Sequence, residues 1–195
     1  MTMKQLVFID GCIRGEASRT RSVAVPLLQA LEKRYEIHRM DLSTSTLEPV
    51  TADLYARRGT EGLSAEDVAA GRLVAQADRI VIAAPFWDMS FPSVLKVFFE
   101  HISAPDLTFL DVGDGTTKGN CRAKKLLYIT TRGMEIPTGD PRDQGSSYLK
   151  ALGWLWGIPE VLTVAAYGMD VVDDQTRARR LTEAVAQGLK ICEDF

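Results

Sequence analysis

The chain has 195 residues, 46% of them hydrophobic and 25% charged, which fits one domain over residues 1–195 with a single continuous core. Its net charge of −3 and scattered Lys and Arg exclude the basic stripe of a nucleic-acid binder, and no apolar run approaches the ~20 residues needed to cross a membrane. Three cysteines without metal-ligand spacing (Cys12, Cys121 and Cys192) and two distant histidines (His38 and His101) argue against a metal centre and suit a reducing compartment. With no signal-peptide pattern at the N-terminus, a cytoplasmic location is expected.

KQLVFID is a short apolar run that stops at Gly11 and reads as a buried strand. Apolar residues at helical spacing follow over 18–33, with Ser18 or Thr20 as the N-cap and Pro26 as a possible kink. YEIHRMDL reads as the second strand, and the polar stretch 43–63 as a long loop. SAEDVAAGRLVAQAD is a helix opened by the capping pattern Ser64-x-x-Asp67. RIVIAAP is the third strand, ended by Pro85, and FPSVLKVFFEHI is an amphipathic helix with Pro92 in its first turn. After the excursion DVGDGTTKGNCRAK come a fourth strand (KLLYITT), the loop RGMEIPTGDPRDQG and the helix SSYLKALGWLWG. A fifth strand (EVLTVAAYG) and a closing helix over 173–193 complete the chain.

Alternating strands and helices imply a parallel sheet with helices on both faces. Five strands joined by right-handed crossovers give a flavodoxin-like or a Rossmann-like sheet. Ligands of such sheets sit outside the C-terminal strand ends, so the loops after strands one, three and four matter most: 11–20, 85–90 and 132–145.

The first loop, GCIRGEASRT, leads into a helix N-terminus. Free N–H groups and the helix dipole there suit a phosphate, with Arg14, Ser18, Arg19 and Thr20 as supplements; an ordinary N-cap with solvated arginines explains the pattern equally well. The P-loop and the G-x-G-x-x-G fingerprint are both missing. Low-molecular-weight tyrosine phosphatases place C-x5-R-[ST] in this loop and use an Asp-Pro acid. Here Cys12 precedes Arg19-Thr20 and Asp140-Pro141 is present, but residues 13–18 make the spacing one too long. The second loop, PFWDMS, sets Phe86, Trp87 and Met89 at a strand end, where they suit a flat aromatic ligand or the packing of the next helix. The third opens with Thr131, Arg132 and Gly133. Gly133 permits close backbone approach, and Arg132 either balances charge on a ligand or forms a salt bridge at the sheet end.

In this order, EASRT, AAPFWDMSFPSVLKVFFEHI, YITTRG and GDPRD resemble the FMN-dependent NADH-azoreductase and NAD(P)H quinone-reductase family, a flavodoxin-like group. The resemblance covers nearly the whole chain. It implies a three-layer α/β/α sandwich around a five-stranded parallel sheet of order 2-1-3-4-5. Ser18, Arg19 and Thr20 would hold the FMN phosphate, with Cys12 and Arg14 of the same loop also expected among the cofactor-binding residues. Pro85, Phe86, Trp87, Asp88 and Met89 would line one ring edge, with Thr131, Arg132, Gly133 and Met134 on the other. It also implies a homodimer, NADH or NADPH as donor, a quinone or azo compound as small-molecule acceptor, and no catalytic side chain, since the hydride chemistry is the flavin's. The chain departs from the family where Asp10-Gly11-Cys12 replaces a serine-rich segment, Trp87-Asp88 replaces Tyr-Asn, and Met134 replaces a second glycine.

An oxidoreductase is thus the leading reading. A flavodoxin-type electron carrier is the alternative, and a phosphatase the third. Against a carrier stand the modest charge and the long stretches 43–63 and 106–123, which are expected to cover a substrate.

Overall fold

The computed structural model describes residues 3–195, with Gly59 and Thr60 described by backbone alone. In chain order the elements are β1 (Lys4–Asp10), α1 (Arg19–Leu31), β2 (Tyr35–Asp41), α2 (Ala52–Glu61), α3 (Ala65–Gln76), β3 (Arg79–Ala83) and α4 (Ser93–Ile102). A short hairpin of β4 (Phe109–Asp111) and β5 (Thr117–Gly119) follows, then β6 (Lys125–Thr131), α5 (Gln144–Trp156), β7 (Glu160–Ala166) and α6 (Asp174–Asp194). The main sheet runs β2-β1-β3-β6-β7 with every pair parallel. With the hairpin set aside, this is the order 2-1-3-4-5.

Alternation along the strands divides the core into two layers. Leu6, Phe8, Val81, Ala83, Leu127 and Ile129 face α1 and α6, while Val7, Ile9, Ile80, Ile82, Leu126 and Tyr128 face α3, α4 and α5. Both faces are covered, so the strands read as continuous apolar runs rather than alternating ones. Each fully buried Leu or Ile contributes about 1.5–3 kcal/mol, and truncating Phe8 to alanine would cost about 3–5 kcal/mol.

The helix starts follow their caps. Ser18 accepts from the Arg21 N–H, so it and not Thr20 is the N-cap of α1, which runs unbroken through Pro26. Ser64 accepts from the Asp67 N–H at 3.0 Å, but only this half of the capping box forms. The Asp67 carboxylate turns instead to His101 Nδ1 at 2.8 Å and Arg58 Nη2 at 3.0 Å.

Two expectations are corrected. The stretch read as a loop over 43–63 contains α2, whose only apolar residues (Ala52, Leu54, Tyr55 and Ala56) make too weak a stripe to be read from sequence. It descends beside α4: His101 Nε2 lies 2.8 Å from the Glu48 carbonyl, and Arg58 donates to the Glu100 carbonyl at 3.3 Å. The 106–123 excursion forms the hairpin and docks on the end of α5, with Gly119 packed against the left-handed Gly157 and the Cys121 N–H on the Trp156 carbonyl at 3.0 Å. A chain leaving the C-terminus of α4 to start β6 must lie at the N-terminal edge of the sheet. Both contacts therefore sit at the end opposite the C-terminal strand ends, and neither stretch covers a substrate there. Among the described residues no helix is long and apolar enough to cross a membrane.

Candidate functional site

The C-terminal ends of β1, β3, β6 and β7 surround a cleft of about 130 Å³. Arg14, Ser18 and Arg19 form one end, Pro85 to Trp87 one side, and Thr131 to Gly133 with Met169 and Asp170 the other. A larger hollow of about 390 Å³ lies between β7 and α6. Its charges are already paired, Arg180 with Glu135 and Arg179 with Glu183, so the strand-end cleft is the better ligand site.

At the α1 end the first turn leaves donors unused. The Ser18 N–H bonds to the Gly15 carbonyl, the Arg21 N–H to Ser18 Oγ and the Ser22 N–H to the Ser18 carbonyl. The N–H groups of Arg19 and Thr20 have no partner among the described residues. Two free amides, the positive helix end and the Arg14 and Arg19 guanidinium groups make an anion site. The neighbouring cations are spent elsewhere. Asp10, fully buried at the end of β1, accepts from Arg21 at 2.8 Å, Arg39 at 2.7 Å and the Cys12 N–H at 3.0 Å. Arg19 reaches across the cleft to Asp170 at 2.6 Å.

Two predicted residues turn inward here. Thr20 Oγ1 lies 2.7 Å from Thr131 Oγ1 in a buried contact, so the Thr20 side chain faces the protein interior and not the cleft. Cys12 is fully buried with Sγ 3.5 Å from the Ala83 carbonyl, and burial pushes its thiol up to about 12. Arg142 holds the Asp140 carboxyl down at about 2. Near neutral pH the first is no nucleophile and the second no general acid, which removes the physical basis for a phosphatase.

On the β3 side, Trp87 and Ser90 exchange hydrogen bonds of 3.1 and 2.8 Å, with Asp88 at φ 47° and Met89 at φ 62° between them. This is the geometry of a tight two-residue turn that Asn-Gly fills best, so Asp-Met here stores roughly 1 kcal/mol or more. The turn is braced by the Gln144 N–H on the Met89 carbonyl and the Phe86 N–H on the Thr131 carbonyl, both 3.0 Å. It leaves Trp87 47% exposed at the mouth. Asp88 and Met89 lie on the outer turn and Met134 on the rim, just beyond the cleft wall.

On the β6 side, the Arg132 guanidinium is fully buried. It pairs with Asp143 at 2.8 Å, donates to the Ile136 carbonyl at 2.9 Å and lies 5.2 Å from the Phe86 ring centroid. Of the two readings of Arg132, the geometry is that of the salt bridge at the sheet end. Gly133 leaves room for the Asp170 carboxylate, which a Cβ there would displace. The loops after β6 and β7 are zipped together: the N–H groups of Gly168, Met169 and Asp170 donate to the carbonyls of Met134, Arg132 and Gly133 at 2.8–3.0 Å. The Gly133 and Met134 amides stay free beside the cleft. Met169 and Asp170 also line the cleft, outside the three loops that the sequence singles out. Gly168-Met169-Asp170 directly after a buried strand is the signal in the sequence that points to them.

The cleft therefore offers an anion site at one end, free amide edges along a side and an exposed aromatic at the mouth. Comparison with known proteins bears on the family. The Flavodoxin_2 family model, described as a flavodoxin-like fold, matches residues 4–189. An FMN-dependent NADH:quinone oxidoreductase of Bradyrhizobium sp. is 30% identical, covering 96% of this chain and 98% of its own length. One of Clostridium perfringens is 26% identical, covering 99% and 100%. Among solved structures, an FMN-dependent NADH-azoreductase of Bacillus anthracis in complex with FMN has the same fold at a TM-score of 0.75 and 18% identity, covering 97% of this chain and 100% of its own. The chain belongs to the flavodoxin-like family, in its branch of FMN-dependent NADH:quinone oxidoreductases.

Proposed function

We infer that this chain is an FMN-dependent oxidoreductase that passes hydride from NADH to a quinone or azo acceptor, each visiting the same cleft in turn. The observation that carries the reading is the pair of Arg19 and Thr20 amides left free at the start of α1, beside a cleft whose mouth holds Trp87. An anionic phosphate at one end and a flat ring at the other is the ligand this combination fits. FMN, when bound, supplies the hydride exchange.

The chain's own residues do the rest. The Arg19 and Thr20 amides, Ser18 Oγ and the Arg14 and Arg19 guanidinium groups hold the phosphate. The free amide of Gly133 in the cleft wall, and those of Asp88, Met89 and Met134 just outside it, would donate to ring edges, and Phe86 and Trp87 supply an apolar wall. Cys12 and Arg132 act from behind as packing and bracing. No side chain is assigned a catalytic role. The long stretches no longer argue for an enzyme over an electron carrier; the named relatives support that choice.

A cleft of about 130 Å³ is too small to enclose a tricyclic ring, and Ile13, Trp87, Met89, Met134 and Val171 lie exposed on the loops around it. Such an apolar rim suits a second copy closing the site about a twofold axis. A homodimer working in the cytoplasm is the form this reading proposes. Two measurements test it. Titration of the flavin-free protein with FMN and FAD should give tight FMN and weak FAD binding, and equal binding would sink the phosphate assignment. Light scattering of the loaded protein should give twice 21.5 kDa, and the single-chain mass would refute the dimer.

A further inference from the structure

We propose that Asp170 lowers the affinity of the cleft for a phosphate-bearing ligand: in the free chain its carboxylate holds Arg19, and a phosphate must take Arg19 from it. The inference rests on the reading of the cleft as an FMN site. Four arginines stand around the α1 end and the β6 side. Arg21 is committed to Asp10, Glu16 and Asp41, and Arg132 to Asp143. Arg14 has no ion-pair partner among the described residues, while Arg19 has Asp170 alone, at 2.6 Å.

Asp170 is not a loosely placed surface acid. It follows β7, 151 residues away from Arg19 in sequence, and its N–H is fixed to the Gly133 carbonyl at 3.0 Å. Its second carboxylate oxygen lies over Gly133, the glycine whose missing side chain makes room for it. The ion pair thus spans the cleft from the anion end to the ring side, and an anion stands beside the place where a phosphate would bind.

The exchange favours a phosphate for two reasons. A dianion gains the free Arg19 and Thr20 amides as well as the guanidinium, whereas the released Asp170 side chain, 66% exposed, stays hydrated. A flavin with a neutral end does not compete for Arg19, so the ion pair can stay closed when it binds. Asp170 therefore weakens the phosphorylated ligand, by competing for Arg19 and by standing beside the phosphate, and leaves the unphosphorylated one nearly unaffected.

The test is fluorescence titration of flavin-free wild type, Asp170→Asn, Arg19→Gln and the double variant with FMN and with riboflavin at one fixed ionic strength. Asp170→Asn should lower the FMN Kd about five- to tenfold, the scale of one nearby charge in partly screened surroundings, and should move riboflavin less than about twofold. In the Arg19→Gln background the same change should give less than half of that gain on a logarithmic scale. Asp170→Ser should reproduce the gain, which guards against a fault peculiar to one variant. An FMN Kd that stays equal or rises in Asp170→Asn, or a riboflavin shift as large as the FMN shift, overturns the proposal while leaving FMN binding intact. Wild type that binds no FMN overturns the cofactor reading and this proposal with it.

Discussion

The hydroxyl of Thr20 lies 2.7 Å from that of Thr131, joining the first turn of α1 to the last residue of β6. The pair couples the anion end of the cleft to its ring side through one buried contact. Thr20 is fully buried in that contact, while Thr131 still lines the cleft.

Thr20→Val should therefore act on stability first. Losing the bond leaves Thr131 Oγ1 without its partner, at about 1–2 kcal/mol, while the Thr20 amide stays in place. Ser18→Ala removes the N-cap, at about 1 kcal/mol, and also a hydroxyl that lines the cleft. Urea unfolding should show both losses. FMN titration should show a larger affinity loss for Ser18→Ala; the reverse order would mean that Thr20 contacts the phosphate directly.

Arg132 and Asp143 form an ion pair with both side chains fully buried. Arg132→Gln should cost about 3–5 kcal/mol, because the carboxylate is left buried without its cation. The matched apolar pair Arg132→Met with Asp143→Leu should recover a large part of that. Denaturant unfolding distinguishes them. A single variant as stable as wild type would restore Arg132 to a role toward the ligand rather than in the frame.

These two relationships mark how far the sequence could be read. The bounds of β1 and β6 follow directly from their apolar runs, because strands buried on both faces need unbroken hydrophobic sequence. Loops at the ends of β1, β3 and β6 follow from alternation alone. What a side chain does within such a loop depends on partners distant in sequence. Thr20 meets Thr131, Arg19 meets Asp170 and Arg132 meets Asp143, and no local pattern encodes those pairings. α2 escaped notice for a different reason: it packs through ion pairs such as Arg58 with Asp67 rather than through an apolar stripe.

The three thiols supply a pH test. Burial pushes Cys12 and Cys121 up to about 12 and Cys192 to about 11. In the unfolded chain a thiol ionises near about 8.5, so the folded state binds more protons than the unfolded state between that pH and each folded value. Stability should be unaffected by the thiols below about pH 8.5 and should fall as pH rises above it. At pH 8 a thiol reagent should modify none of the three in the native protein and all of them in urea. Rapid native labelling of Cys12 would show that the loop after β1 opens.

The most direct measurement is anaerobic stopped-flow mixing of the FMN-loaded protein with NADH, followed by menadione. The visible flavin band should bleach on the first mix, with saturation below about 1 mM NADH, and return on the second. A band left unchanged by NADH at that concentration would contradict the account and leave a flavin carrier in place of an enzyme.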